Sequence, residues 1–180
     1  MRWSRPDPAR KAAEGLYAAL VAQARRPEFY ARLGVPDSLD GRFEMVALHT
    51  FLVLRRLKSD AQASEARQAL VDLFVEDMDA NLREMGAGDL GVGRRVKAMA
   101  QALYGRIAAY EAGLAGPQEA LAGALRRNLF GTAAEPGPDP PVLDGLAAYV
   151  RRESAGLALT PEGLRFGPPP TPETNVSGVG

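Results

Sequence analysis

Residues with chemical potential concentrate between Glu76 and Lys97, where "EDMDANLREMGAGDLGVGRRVK" runs acids, then glycines, then bases. Phosphate binding, acid–base or metal chemistry, and charged docking are the three uses open to such a run. Gly86, Gly88 and Gly91 match G-x-G-x-x-G, but a dinucleotide site needs a strand to deliver those glycines to a helix N-terminus. Here the preceding apolar spacing is helical, so the glycines read as a helix end at Gly86 and a tight turn. Asp77 and Asp79, two residues apart on a helix, point about 200° apart and cannot share a proton or a metal. Asp72, Glu76, Asp79 and Arg83 read as a solvated face. Asp77 and Glu84 border the stripe of Leu70, Val71, Phe74, Met78, Leu82 and Met85, and Asn81 lies within it. A buried amide without partners costs about 1–3 kcal/mol. Asp77 and Asn81 therefore either bond to nearby backbone or line a contact with a partner. Asp89 can cap the following turn, and Leu90 is either tucked into the core or offered outward. Arg94, Arg95 and Lys97 follow directly.

Elsewhere the chain offers little for catalysis. Its single histidine, His49, sits in the apolar run "MVALHTFLVL", and Glu44 lies five residues away, off the i, i+4 spacing of a metal pair. The absence of cysteine excludes disulfides, thiolate metal sites and a cysteine nucleophile. No nucleophile elbow, triad or H-E-x-x-H occurs. The expectation is a protein that is not an enzyme, binds no metal and uses no cofactor, with His49 packed and hydrogen-bonded. Four arginine pairs (Arg55/Arg56, Arg94/Arg95, Arg126/Arg127, Arg151/Arg152) fall on four helices. Gathered, they would make a cationic patch for a membrane surface or ribosomal RNA; apart, they are solvated helix ends.

These residues are carried by helices almost throughout. The periodicity predicts helices over Arg10–Arg26, Gly41–Lys58, Ser64–Met85, Gly93–Ala112, Pro117–Phe130 and Val142–Glu153, with Ser64 as an N-cap and no convincing strand. In the second of these, Phe43, Val46, Ala47, Thr50, Phe51, Val53, Leu54 and Leu57 form one face, and Met45, Leu48 and Leu52 a second seam. A helix apolar on two sides belongs at the centre of a bundle. The expected architecture is all-α: a compact single-domain bundle of about six helices over 10–155. Residues 1–9 read as a flexible N-terminus, and the Pro/Gly-rich stretch 156–180 as a disordered tail.

The bulk numbers agree with one domain. The chain has 180 residues, with 22 bases balanced by 22 acids, so no global field draws in DNA or other polyanions. The N-terminal "MRWSRPDPAR" has no apolar signal region, and the most apolar run is too short for the ~20 residues that cross a bilayer. The expected location is cytoplasmic, with peripheral contact at the inner membrane.

The segment "RFEMVALHTFLVLRRL", followed by "DMDANLREMGAGDLGVGRRVKAM", resembles the ubiquinol–cytochrome c chaperone family over about residues 42–129. Gly93 stands where that family often has proline, which would preset φ at the start of the next helix. The resemblance implies an all-α assembly chaperone of the respiratory cytochrome b–c complex. It implies newly made cytochrome b as client, with a small partner subunit or the ribosome as further partners. The alanine- and arginine-rich style, without a transit peptide, suggests a bacterial source. On that reading Asp77, Asn81, Glu84, Asp89 and Leu90 bind the partner, with Arg94, Arg95 and Lys97 beside them, and Met45, Leu48 and Leu52 form a client groove. Methionine suits a surface that accepts varied contacts. The alternatives are a ribosome- or RNA-associated helical adaptor and, further off, a small helical metal- or haem-linked enzyme using His49.

Overall fold

The computed structural model describes residues 7–84, 91–133, 136–160 and 163–171. The helices are α1 (Pro8–Ala24), α2 (Pro27–Ala31), α3 (Leu39–Leu57), α4 (Ser64–Glu84), α5 (Val92–Ala115), α6 (Gln118–Leu129) and α7 (Pro140–Gly156). A hairpin of β1 (Ala158–Thr160) and β2 (Gly163–Arg165) follows.

Local chemistry sets most helix starts. Pro8, Pro27 and Pro140 open α1, α2 and α7, where a missing N–H costs nothing and the fixed φ suits the first turn. Asp7 accepts from the Ala9 amide, and Ser38 from the Gly41 amide. Helix α1 thus begins inside the stretch read as flexible, because Asp7 and Pro8 together make a cap. Pro27 starts a short helix as well as ending the previous one. Ser64 caps nothing: a 3-10 turn (Ala61–Ala63), capped by Asp60, feeds α4 directly. Gly91 precedes α5 at φ 89°, a conformation that favours glycine.

Helix α3 is the hub, packing against α1, α4, α5, α6 and α7. Met45, Leu48 and Leu52 are each 0% exposed. The seam proposed as a client groove is therefore core, because neighbouring helices enclose the middle of α3 and leave it partly open only towards its two ends. Gly41, in its first turn, is held against the chain behind it: a Cβ there would collide with the Pro36 carbonyl oxygen.

Beyond α7 the structure differs from the expected disordered tail. Over the described residues between 156 and 171 the chain is ordered against the helices. The strands pair antiparallel with Leu159 opposite Leu164, and β2 packs on α1. Gln23 donates to the Gly167 carbonyl at 3.0 Å, Arg152 to the Pro168 carbonyl at 2.7 Å, and the Gly167 amide donates to the buried Glu153 carboxylate at 3.2 Å. Strands of three residues carry almost no period-2 signal; the partners that hold them lie on α1 and α7, far away in sequence.

Candidate functional site

His49 lies at the centre of the core, 0% exposed. One ring nitrogen, Nδ1, faces the Met45 carbonyl at 2.8 Å, and the other, Nε2, faces the Tyr149 hydroxyl at 2.8 Å. Gln23 donates to that hydroxyl oxygen at 3.0 Å. Nδ1–H donating to Met45 and Nε2 accepting from Tyr149 satisfies every group at once. Phe29, Tyr149 and Phe166 surround the ring with centroids 5.2–5.8 Å away. Burial pushes the imidazole down to about 4, against a smaller opposing effect of the Met45 bond. This is a structural polar cluster tying α1, α3, α7 and the segment after the hairpin. Among the described residues no group of three or more His, Asp or Glu could hold a metal.

The arginine pairs are largely engaged one by one. Arg55 pairs with Glu111, Arg56 donates to the Leu157 carbonyl, and Arg151 donates to the Leu114 and Gly116 carbonyls. Arg152 lies over the Tyr149 ring and bonds Glu153.

The corner read for docking divides. Asp77 accepts from the Tyr17 hydroxyl at 2.8 Å. That phenol's pKa is raised, by burial first and then by the Asp77 charge. Asn81 donates to the Asp77 backbone carbonyl at 2.8 Å. Asp77 thus joins α4 to α1, while half-buried Asn81 bonds the backbone of its own helix and lines a surface cleft. Glu84 is exposed at the end of α4, and Arg94 and Lys97 are exposed on α5. Arg95 reaches across to Asp79 at 3.4 Å. Asp79, read as a solvated acid, instead bridges the two helices. Arg83 and then Arg95 hold its carboxyl below the usual range, against the opposing effect of desolvation. Gly86, Gly88, Asp89 and Leu90 lie outside the described residues.

A cleft opens where α3 is uncovered. A hollow of about 500 Å³ is lined by Leu39, Phe43, Met78, Leu82, Met99 and Leu129, with Glu44, Arg106, Arg127 and Asn128 among its polar groups. A second hollow, of about 330 Å³, shares Leu39, Phe43 and Met78 with it and extends past Val46 to Asn81, Arg25 and Arg42. The pair forms one apolar groove with a charged rim, floored by α3 and walled by the C-terminal half of α4. Phe43 is braced by Phe74, their centroids 5.5 Å apart, and Arg106 lies over its ring at 5.6 Å. Arg106 also makes a forked bond to Glu44, with Nη2–Oε1 at 2.5 Å and Nε–Oε2 at 3.1 Å. The Glu44 side chain is 9% exposed, so the pair anchors α5 to α3 beneath the groove. This geometry suits reversible capture of a few apolar side chains with polar contacts around them.

Sequence reasoning missed Phe43, Leu39 and Met99 as groove residues, and Glu44 with Arg106 as its anchor. One signal was available: Glu44 stands directly before the apolar run that starts at Met45 in α3, and a buried carboxylate demands a cation.

Residues 31–169 match the family model described as "Ubiquinol-cytochrome C chaperone". The chain is 28% identical over 143 residues to the ubiquinol-cytochrome-c reductase complex assembly factor 1 of Xenopus laevis, across 79% of this chain and 70% of the relative. It is equally similar to the Homo sapiens protein of that name, covering 47% of it, so it spans about half the length of that longer relative. The crystal structure of the Cbp3 homolog from Brucella abortus superposes with a TM-score of 0.69 at 42% identity, over 79% of this chain and 78% of that one.

Proposed function

Since the chain belongs to the ubiquinol–cytochrome c chaperone family and is an assembly chaperone of the ubiquinol–cytochrome c reductase complex, we propose that its client is newly made cytochrome b, held in the groove of Leu39, Phe43, Met78, Leu82 and Met99. The observation that carries this reading is an apolar, methionine-containing groove at the end of α4, on the helix that bears the family block. Thioether side chains adapt to varied apolar contacts, as a chaperone for a membrane protein requires. The groove has room for a few side chains, not for a whole membrane-spanning helix. It grips a local apolar element, and Asn81, Arg25, Arg42 and Arg127 meet polar groups at the rim. Arg94 and Lys97, exposed near the start of α5, extend the contact. No described helix is long and apolar enough to cross a membrane, and the protein meets its client peripherally at the inner membrane.

In a strain lacking the gene, the wild-type chain restores assembled complex. A Leu82→Asp variant that folds normally restores about tenfold less, since a carboxylate is driven into the apolar wall. Leu159→Asp, on the exposed hairpin, restores fully. Normal complex in the deletion strain, or full restoration by Leu82→Asp, contradicts the reading.

A further inference from the structure

A second face remains outside this role. Along α5, Val96, Ala100, Tyr104 and Ile107 follow one another at helical spacing, and Val71 and Val75 of α4 lie beside them. Val96 is 37% and Tyr104 51% exposed; they are two of the three large exposed apolar residues among those described. Two hollows of about 360 Å³ each lie along this seam and share Gln68, Val71 and Tyr104.

Charge is ordered along the face. The hollow towards the C-terminus of α3 carries Arg55, Lys58 and Arg67, with Glu111 paired to Arg55. The other carries Asp72, Glu76 and Asp79. Asp79 is held by Arg83 and Arg95, and Glu76 by an exposed bond to Arg10. Asp72 takes an amide bond from Gln68 and feels the charge of Arg10, but it makes no salt bridge within the described chain. Neither Lys58 nor Arg67 makes a salt bridge within the described chain. Such a surface is self-complementary: a two-fold axis through its middle reverses the order and lays basic end on acidic end twice.

We propose that this α4/α5 face joins two copies of the chain about a two-fold axis, with Tyr104 near the centre and Arg67 of each copy opposite Asp72 of the other. Tyrosine at the centre supplies the apolar contact that anchors interfaces, and the terminal charges fix the register. The client groove lies on other residues and stays open in the dimer.

Sedimentation velocity of the full chain from about 1 to about 100 μM tests this, at about 0.1 M salt so that exposed charges are only partly screened. The expected result is a reversible monomer–dimer equilibrium, weakened at least about tenfold by Tyr104→Arg. Asp72→Arg and Arg67→Asp each weaken self-association alone, because each places like charges opposite one another twice. An equimolar mixture of those two variants recovers the dimer, because both cross-pairs are again of opposite sign. That recovery separates lost pairing from lost folding. A monomer across the whole range, a dimer indifferent to Tyr104→Arg, or no recovery in the mixture overturns the proposal.

Discussion

Arg106→Ala lowers the stability of the folded chain by about 3.5–4 kcal/mol. The reason is what it leaves behind. Glu44 is buried at the base of the groove, and its carboxylate takes a forked, charge-assisted bond from Arg106. Removing one member of a buried pair strands the other charge away from water, and such losses run at about 3–5 kcal/mol. Arg106 is itself part-exposed, at 30%, so some water reaches the site and the lower end applies. The guanidinium also lies over Phe43, and losing that contact adds about 0.5–1 kcal/mol. Arg106→Lys recovers only part, since an ammonium cannot reproduce the fork. Glu44→Gln combined with Arg106→Met recovers most, because no charge is left unpaired. Urea unfolding midpoints measure this, and an Arg106→Ala variant within about 0.5 kcal/mol of wild type contradicts it. Because Arg106 braces Phe43, the loss also loosens the groove floor.

Acidification destabilises the fold through His49. The imidazole is neutral in the folded chain and protonates only near pH 4, against an ordinary 6.5. As pH falls below the unfolded value, the unfolded chain takes up a proton that the folded chain refuses, so stability drops. The loss begins near pH 6.5 and levels off below about 4. At about 1.4 kcal/mol per tenfold difference in proton affinity, it totals about 3 kcal/mol. Carboxylates titrate over part of that range, so the histidine's share is read by difference. His49→Gln is less stable at neutral pH, but its stability falls less steeply between pH 6.5 and 4. With one histidine in the chain, its ring resonances in an NMR titration are unambiguous. Protonation near 6.5 in the folded protein contradicts the buried, doubly bonded placement.

The helical bundle was legible from apolar spacing because each long helix buries one stripe, and the stripe period is local information. The central position of α3 was legible from its two seams. Which part of α3 stays uncovered was not. The wheel places Met45, Leu48 and Leu52 on one seam and Phe43 on the other face, yet only packing by α1, α5, α6 and α7 decides that the first is sealed. Phe43 and Leu39 instead stay partly open near the N-terminus. Asp79 illustrates the same limit. The wheel puts it on the solvent side of α4, but its side chain is only 13% exposed, because the cation that covers it, Arg95, comes from the next helix. The hairpin depends on Gln23, Arg152 and Glu153, whose spacing from Gly167 and Pro168 leaves no pattern in a window of a few residues. His49, by contrast, was legible as packed, since no metal-spaced partner accompanies it.

Site-specific photo-crosslinking from position 82 during synthesis of the respiratory complex most directly tests whether the groove holds the client. The expected adduct from that position is cytochrome b, while the same crosslinker at Leu159, on the exposed hairpin, captures none. Cytochrome b captured from position 159 but not from position 82 would show that the client binds elsewhere.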